Sequence, residues 1–325
     1  MTDTGPLFVS SGDLVADRRY KWALDHAARG DLTGAADILA QTVELMPGFA
    51  TAWFALGAIR DQLADRSGAI AAFAKARDAD PDDYHGARLQ LARLGSGDAT
   101  PAMSEAYVRR LFDQYAARYD AALTERLDYR GPALLVAAVE AVIGAAGRPP
   151  RFDSMLDLGC GTGLAGIAFR PLVVDRVVGV DLSAAMIAQA GNKRVYDLLV
   201  PASVQNFLAD QILEARTYHL VVAADVFVYV SDLKPIFASV ADVLAPDGLF
   251  AFTAETHIGD GVRLLPTLRY AHGEAYIRAA FADADFAVAH LVKAPVRNEK
   301  GVPVDGLVVV ARPSTAKHAT ATSVG

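Results

Sequence analysis

The chain has 325 residues, with 31 Lys and Arg against 38 Asp and Glu and a formal net charge of −7. Its length predicts roughly two domains, and the acidic balance counts against a general nucleic-acid binder, which needs clustered cations. Apolar residues make up 53% of the chain, which excludes disorder for most of it; one Cys and 7 scattered His, with no H-E-x-x-H, leave no disulfide and predict no metal site.

The N-terminal stretch from Met1 to Val15 carries acidic residues and no basic region ahead of an apolar run. No secretory signal is expected there. The most apolar stretch, Ala133 to Gly147, is interrupted by Glu140 and ended by Arg148, so no membrane span is expected. A cytoplasmic protein without membrane or nucleic-acid partners follows as the expectation.

Residues 17 to 93 are rich in Ala, Leu, Arg and Asp and repeat at a spacing of 34: Gly30-Asp31 with Ala64-Asp65, Ala35 with Ala69, Pro47 with Pro81. That spacing predicts one helix-turn-helix unit per repeat. In the second copy Trp53, Leu56 and Gly57 fall on one helix, Ala69, Phe73 and Ala76 on the next, and Pro81 closes it. This pattern resembles the tetratricopeptide repeat, departing from it at Ala64, where Gly is usual. The first copy keeps Ala23, Gly30, Ala35 and Pro47 but has Trp22 where Leu is common. A further helix, Tyr84 to Leu94, reads as a cap on the stack. Trp53 and Phe73 are expected in the core. The resemblance implies a concave face that could hold a protein partner, or a scaffolding or dimerising role. Gly, Ser, Asp and Pro cluster from Gly95 to Pro101 as a linker, giving an all-α domain over 1–97.

From about Phe152 short apolar runs alternate with helical segments. Met155–Leu158, Val177–Val180, His219–Ala224 and Leu249–Thr253 read as strands; Ala184–Ala190, Lys234–Leu244 and Ala275–Ala282 read as helices. The alternation predicts an α/β domain over 98–313, a parallel sheet with helices on both faces. Ligands in such sheets bind beyond the carboxyl ends of the strands.

LDLGCGTGLAG, Leu156 to Gly166, sits at such an end. Two readings compete for it. Gly161-x-Gly163-x-x-Gly166 with Asp181 downstream has the spacing of a dinucleotide fingerprint. Asp157 decides against that reading: its carboxylate would repel a pyrophosphate and attract a cationic ligand. Here the sequence resembles the class I methyltransferases that use S-adenosylmethionine. DLGCGTG, VVGVDLSAAMIAQA, Ala209-Asp210, VVAADVFVYV and VLAPDGLFAFTAE resemble their motifs in order. LFDQYAARYDAAL, Leu111 to Leu123, resembles the cap helix that small-molecule members fold over the cofactor, with Tyr115 and Tyr119 on one helical face. The resemblance implies a seven-stranded Rossmann-like sheet, S-adenosylmethionine as cofactor, and cofactor contacts from Tyr115, Tyr119, Asp157, Gly159, Cys160, Gly161, Asp181, Leu182, Met186, Asp210, Gln211 and Asp225.

Phe286–Val292 and Leu307–Val310, joined by a turn at Asn298–Gly301, resemble the family's final antiparallel hairpin; the polar tail after Arg312 is expected to be disordered. The arrangement as a whole resembles a bacterial group of methyltransferases with tetratricopeptide repeats, and more distantly the malonyl-carrier and trans-aconitate methyltransferases. Methyl transfer needs a general base only when the acceptor carries a proton at the transition state, so no fixed catalytic residue is implied. Candidates near the strand ends are Tyr229 and His272, with Asp225, Phe227, Glu255, His257 and Tyr270 beside them. Cys160 is expected to be a small buried residue. No N/D-P-P-Y/F motif follows the fourth strand, which lowers DNA as acceptor. The expectation is methyl transfer to a small-molecule carboxylate or hydroxyl. A protein or carrier-bound substrate docked by the repeats, and a non-enzymatic scaffold that senses the cofactor, are the alternatives.

Overall fold

The structure, a computed structural model, describes residues 8–100, 102–121, 129–299 and 301–314. The chain divides into two compact units: residues 1–108 with 264–268, and residues 109–263 with 269–325.

The first unit opens with α1 (Leu14–Ala28), α2 (Leu32–Leu45), α3 (Ala50–Gln62), α4 (Arg66–Ala79) and α5 (Ala87–Arg93). Asp13 accepts from the Val15 and Ala16 amides and starts α1. Asp31 accepts from Gly34 N to start α2, and Asp65 accepts from Gly68 N to start α4. The same cap thus recurs at the spacing that marks the sequence. Side-chain caps of this type stabilise a helix by about 1 kcal/mol. Gly30 turns the chain at φ 84° and Ala64 does so at φ 60°. Ala35, Leu39, Ala52, Leu56, Ala69 and Phe73 are buried. Small residues let the helices close up: a Cβ at Gly57 would lie 2.7 Å from the Phe73 ring. Thr51 Oγ1 and His85 Nε2 meet at 3.0 Å, tying α3 to the segment before α5.

The strands of the second unit are β1 (Phe152–Leu158), β2 (Val173–Asp181), β3 (Leu198–Pro201), β4 (Tyr218–Ala223), β5 (Leu244–Glu255), β6 (Val262–Leu264), β7 (Tyr270–His272), β8 (Phe286–Glu299) and β9 (Val302–Pro313). Seven of them form one sheet in the order β3-β2-β1-β4-β5-β9-β8. Strands β1 to β5 run parallel, while β9 pairs antiparallel with both β5 and β8. The remaining two, β6 and β7, make a small ribbon of their own. The expected seven-stranded Rossmann-like sheet is therefore present. The final hairpin is longer than the apolar runs suggest, with Lys300 at its turn lying outside the described residues.

Alternation along the strands divides the core. Leu220, Val222, Leu249, Ala251, Val308 and Val310 point to one face, which α8 (Gly131–Ala145) and α9 (Leu164–Phe169) cover. Val221, Ala223, Phe250, Phe252, Leu307 and Val309 point to the other, beneath α11 (Val204–Leu213), α12 (Lys234–Val243) and α13 (Glu274–Asp283). Six phenylalanines, Phe227, Phe237, Phe250, Phe252, Phe281 and Phe286, interlock on that second face with ring centroids 4.9–6.4 Å apart. Burial on both faces is what strands rich in Val, Leu and Phe require. Helix α10 (Ala184–Asn192) follows β2, its start capped by Ser183.

The expected cap helix is broken. Helix α6 (Glu105–Tyr115) ends in a 3-10 turn, Ala116–Arg118, before the short α7 (Tyr119–Ala121). The tighter turn has three residues per turn against 3.6, so Tyr115 and Tyr119 no longer share a helical face. Ala122 and Leu123 lie outside the described residues, as does the tail from 315 onward; Ser314 N still donates to Asp285 O at 2.7 Å. Among the described residues no helix is long and apolar enough to cross a membrane.

Candidate active site

The carboxyl end of β1 turns sharply through Gly159 and Gly161, whose φ angles are 64° and 52°. Left-handed backbone of this kind costs a side-chain-bearing residue roughly 1–2 kcal/mol. A Cβ at Gly159 would also sit 2.6 Å from Val226, while one at Gly161 would meet only Tyr119, at 4.0 Å. Gly161 therefore presents bare backbone to open space.

Two carboxylates flank this turn. Asp181, at the end of β2, accepts from Gly161 N at 2.9 Å through Oδ2 and from Ser183 N at 2.8 Å through Oδ1. Burial raises its pKa, against the pull of those two amides. Each oxygen keeps a further lone pair for a hydroxyl donor. Asp157, one residue from the end of β1, accepts from the Tyr196 hydroxyl at 2.6 Å through Oδ2. Its Oδ1 is buried and makes no hydrogen bond. Burial pushes Asp157 up to about 7, partly offset by the Tyr196 bond, raised again by Asp181 and lowered a little by the Gly166 amide.

A small cavity lies over the turn, lined by the turn itself and by Asp157, Tyr119, Tyr129, Pro132 and Ala224. The segment carrying Tyr119 is fastened beside it by two acids. Ser183 Oγ donates to Asp113, and Thr162 Oγ1 donates to Asp120. Asp120 also pairs with Lys193 Nζ at 2.7 Å. Phe112 meets the Tyr229 ring edge-on at 5.1 Å and the Tyr119 ring at 5.9 Å. Burial drives the Tyr119, Tyr129 and Tyr229 hydroxyls upward, so all three stay protonated as donors.

Beyond β4 and β5 stands a buried cluster of charges. Arg297, on β8, is 2% exposed. Its guanidinium donates to Asp225 Oδ1 at 2.6 Å, to Glu255 Oε2 at 2.6 Å and to Glu299 Oε1 at 3.2 Å. Arg269 donates to the same Glu299 and to the Tyr229 hydroxyl. Burial raises Glu255 despite Arg297; for Glu299 burial is the largest influence, but the bonds and charges of Arg269 and Arg297 together overcome it and hold the carboxyl low. Asp225 is itself strained, at φ 60°, with its amide donating to Thr253 Oγ1 at 2.8 Å.

The expected residues distribute unevenly around this centre. Tyr119, Asp157, Gly159, Cys160 and Gly161 line the cavity, and Asp181 holds its floor. Cys160 is buried, with its thiol pushed upward by burial and by the charges of Asp157 and Asp181. Tyr115 and Leu182 are half-buried and outside the cavity lining, and Met186 packs into the core from α10. Asp225 serves Arg297. Asp210 and Gln211 are not brought to the site: they lie near the end of α11, Asp210 exposed and Gln211 accepting from the Tyr218 hydroxyl at 2.7 Å. Tyr218 begins β4, so this is the amino edge of the strands, opposite the ligand edge. The short β3 ends at Pro201, well before the Ala209-Asp210 pair that the motif pattern suggests.

Tyr229 reaches the cluster, whereas His272 turns inward. His272 Nε2 lies 3.0 Å from Val230 O, an acceptor, so Nε2 carries the proton. The ring is buried against Tyr276, and burial drops its pKa to about 4. It anchors β7 as a neutral ring. Sequence reasoning missed Tyr129, Tyr196, Arg269 and Arg297. Arg297 and Glu299 alternate on one face of a strand, a pattern that a search for paired charges would have found.

No curated protein sequence matches the chain. Solved structures similar to it at low identity include three methyltransferases. An S-adenosylmethionine-dependent methyltransferase from Clostridium acetobutylicum shares 17% identity over 63% of this chain and 99% of that one, with a TM-score of 0.46. The magnesium protoporphyrin IX methyltransferase of Synechocystis, with bound S-adenosylhomocysteine, shares 19% over 65% of this chain and 99% of that one, at 0.49. The 1,6-didemethyltoxoflavin-N1-methyltransferase of Burkholderia thailandensis shares 19% over 64% and 88%, at 0.47. Within the second unit, residues 156–250, from the end of β1 into β5, match the methyltransferase domain family.

Proposed function

We propose that the chain transfers a methyl group from S-adenosylmethionine to a small-molecule acceptor, a carboxylate or hydroxyl. One observation carries this: Asp157, whose Oδ1 is buried without a partner, lines one cavity with a glycine turn whose Gly161 is bare. A pyrophosphate beside Asp157 would meet like charge; an ammonium or sulfonium would meet its counter-ion. The residues therefore fit this cofactor better than a dinucleotide. Asp181 would accept from the ribose hydroxyls, and the Gly161 backbone leaves room for the ligand to approach. When bound, the cofactor supplies a methyl group already activated on sulfur.

The protein's share is then to align, to exclude water and, for a protonated acceptor, to take a proton. Tyr119 and Tyr129 cover the turn and keep it dry. Tyr229, held by Arg269, offers a fixed phenol beside the strand ends where an acceptor would sit. The recurring Asp caps at Asp31 and Asp65 support reading the first unit as tetratricopeptide repeats, which would make a protein or carrier-bound acceptor the second choice.

Calorimetry with S-adenosylmethionine tests the first part. Binding is expected, and Asp181→Ala is expected to weaken it by about tenfold or more, the loss of a charged hydrogen-bond acceptor. No heat at high cofactor concentration would refute the proposal. Transfer of labelled methyl from the cofactor into a fractionated cell extract then reads the size of the acceptor.

A further inference from the structure

Tyr196 lies between α10 and β3, outside every motif the sequence singled out. Its ring occupies space that three glycines from three elements leave open. A Cβ at Gly166, on α9, would sit 2.3 Å from the Tyr196 hydroxyl oxygen; at Gly179, on β2, 2.8 Å from the ring; at Gly163, 3.0 Å from it. At the bottom of this slot the hydroxyl meets Asp157 Oδ2 at 2.6 Å. A phenol buried this deeply stays protonated, so it donates and the carboxylate accepts.

The consequence is geometric. With Oδ2 held by Tyr196, the carboxyl plane is fixed, and Oδ1 is the oxygen left buried without a hydrogen bond. We propose that Tyr196 is a positioning residue, seated in a glycine slot, that aims Asp157 Oδ1 at the cationic amino group of the bound ligand. The proposal rests on the cofactor reading above and extends it to a residue that does not touch the ligand. It also gives the glycines a second purpose: Gly166 and Gly179 admit a ring.

The groups facing Asp157 are Asp181 from β2, Cys160 from the turn, Tyr129 from the segment before α8, and Tyr196 itself. Cys160 and both tyrosines are raised and keep their protons around neutrality. Asp157 and Asp181 are left as the groups that titrate. The Tyr196 bond favours the ionised form of Asp157, so its loss raises the pH at which Asp157 ionises.

S-adenosylhomocysteine carries the amino group without the sulfonium and is the probe. Its affinity for the wild-type chain should fall on the acid side of about pH 7, where Asp157 takes up a proton. Tyr196→Phe keeps the ring in the slot and removes only the donor. Its acid limb should move up by about one pH unit, so that Kd rises about tenfold near pH 6 and approaches wild type near pH 8.5. Asp157→Asn should abolish the limb. An unmoved limb in folded Tyr196→Phe would overturn the proposal, and so would a limb that survives in Asp157→Asn, which would belong to Asp181. If Tyr196→Phe fails to fold, the wild-type chain serves: calorimetry in buffers of different ionisation enthalpy should show about half a proton released on binding near pH 7. No release would also overturn it. Wild-type chain that binds no S-adenosylhomocysteine at any pH refutes the cofactor reading itself, an outcome distinct from binding that ignores Tyr196.

Discussion

Ala64 holds a conformation that its equivalent, Gly30, adopts without strain: φ 60° against 84°. Replacement by Gly relieves the Cβ clash but enlarges the freedom of the unfolded chain. The first effect is about 1–2 kcal/mol and the second about 0.4–1. Ala64→Gly should therefore stabilise the first unit by up to about 1 kcal/mol, read as a higher denaturant midpoint for its helix signal. At this scale the sequence is a good guide where a residue type has few uses. The glycine turn, Asp157 and Asp181 were legible because left-handed backbone all but requires glycine, and an acid ending an apolar strand stands out. Tyr196 was not, because tyrosines pack in many ways, and only the distances to Gly163, Gly166 and Gly179 reveal the slot. Asp210 misled because β3 has only 4 residues, exposed or half-buried, and an apolar run that short does not stand out as a strand.

Strand β8 carries Arg297 into the ends of β4 and β5, where it neutralises three carboxylates at once. Removing one partner of a buried ion cluster costs about 3–5 kcal/mol, since the others stay buried. Arg297→Met should destabilise the second unit by that order. Burial already raises Glu255 and Arg297 pulls it back, so without the guanidinium Glu255 would hold its proton to still higher pH in the folded chain than in the unfolded one. The folded state then binds more protons, and stability falls as pH rises through the carboxylate range. Urea unfolding should show Arg297→Met losing more relative to wild type near pH 8 than near pH 5; equal losses would show that these charges are not coupled. Elements with long apolar runs were legible at this scale, among them β2, β4, β5 and α12. The break between α6 and α7 was not. LFDQYAARYDAAL reads as continuous helix, and what interrupts it is tertiary: Asp113 and Asp120 fasten to Ser183 and Thr162, groups far away in sequence.

The two units have separate cores, one of alanine-rich helices and one of a sheet buried on both faces. Residues 98–325 alone should therefore fold and bind S-adenosylhomocysteine as the full chain does. If the helical unit docks the acceptor, that truncated chain should lose about tenfold or more in kcat/KM on the native acceptor through KM, as expected when a tethering contact is removed. Unchanged kinetics would discard docking. The change in composition after Gly95 made a two-part chain visible in the sequence. The division found in the structure falls later, between Val108 and Arg109, inside α6. A linker signal marks where the chain loosens, whereas the unit boundary follows which core a helix leans on.

The place of β9 has a bearing on synthesis. It follows β8 in the chain, yet it lies between β5 and β8, so one side of β5 stays bare until residues 302–313 have left the ribosome. Phe250 and Phe252 stand on that unpaired strand meanwhile. A nascent chain halted before Val302 would expose an apolar strand edge, a template for joining other chains. The helices α1 to α5, all made by residue 93, meet no such wait.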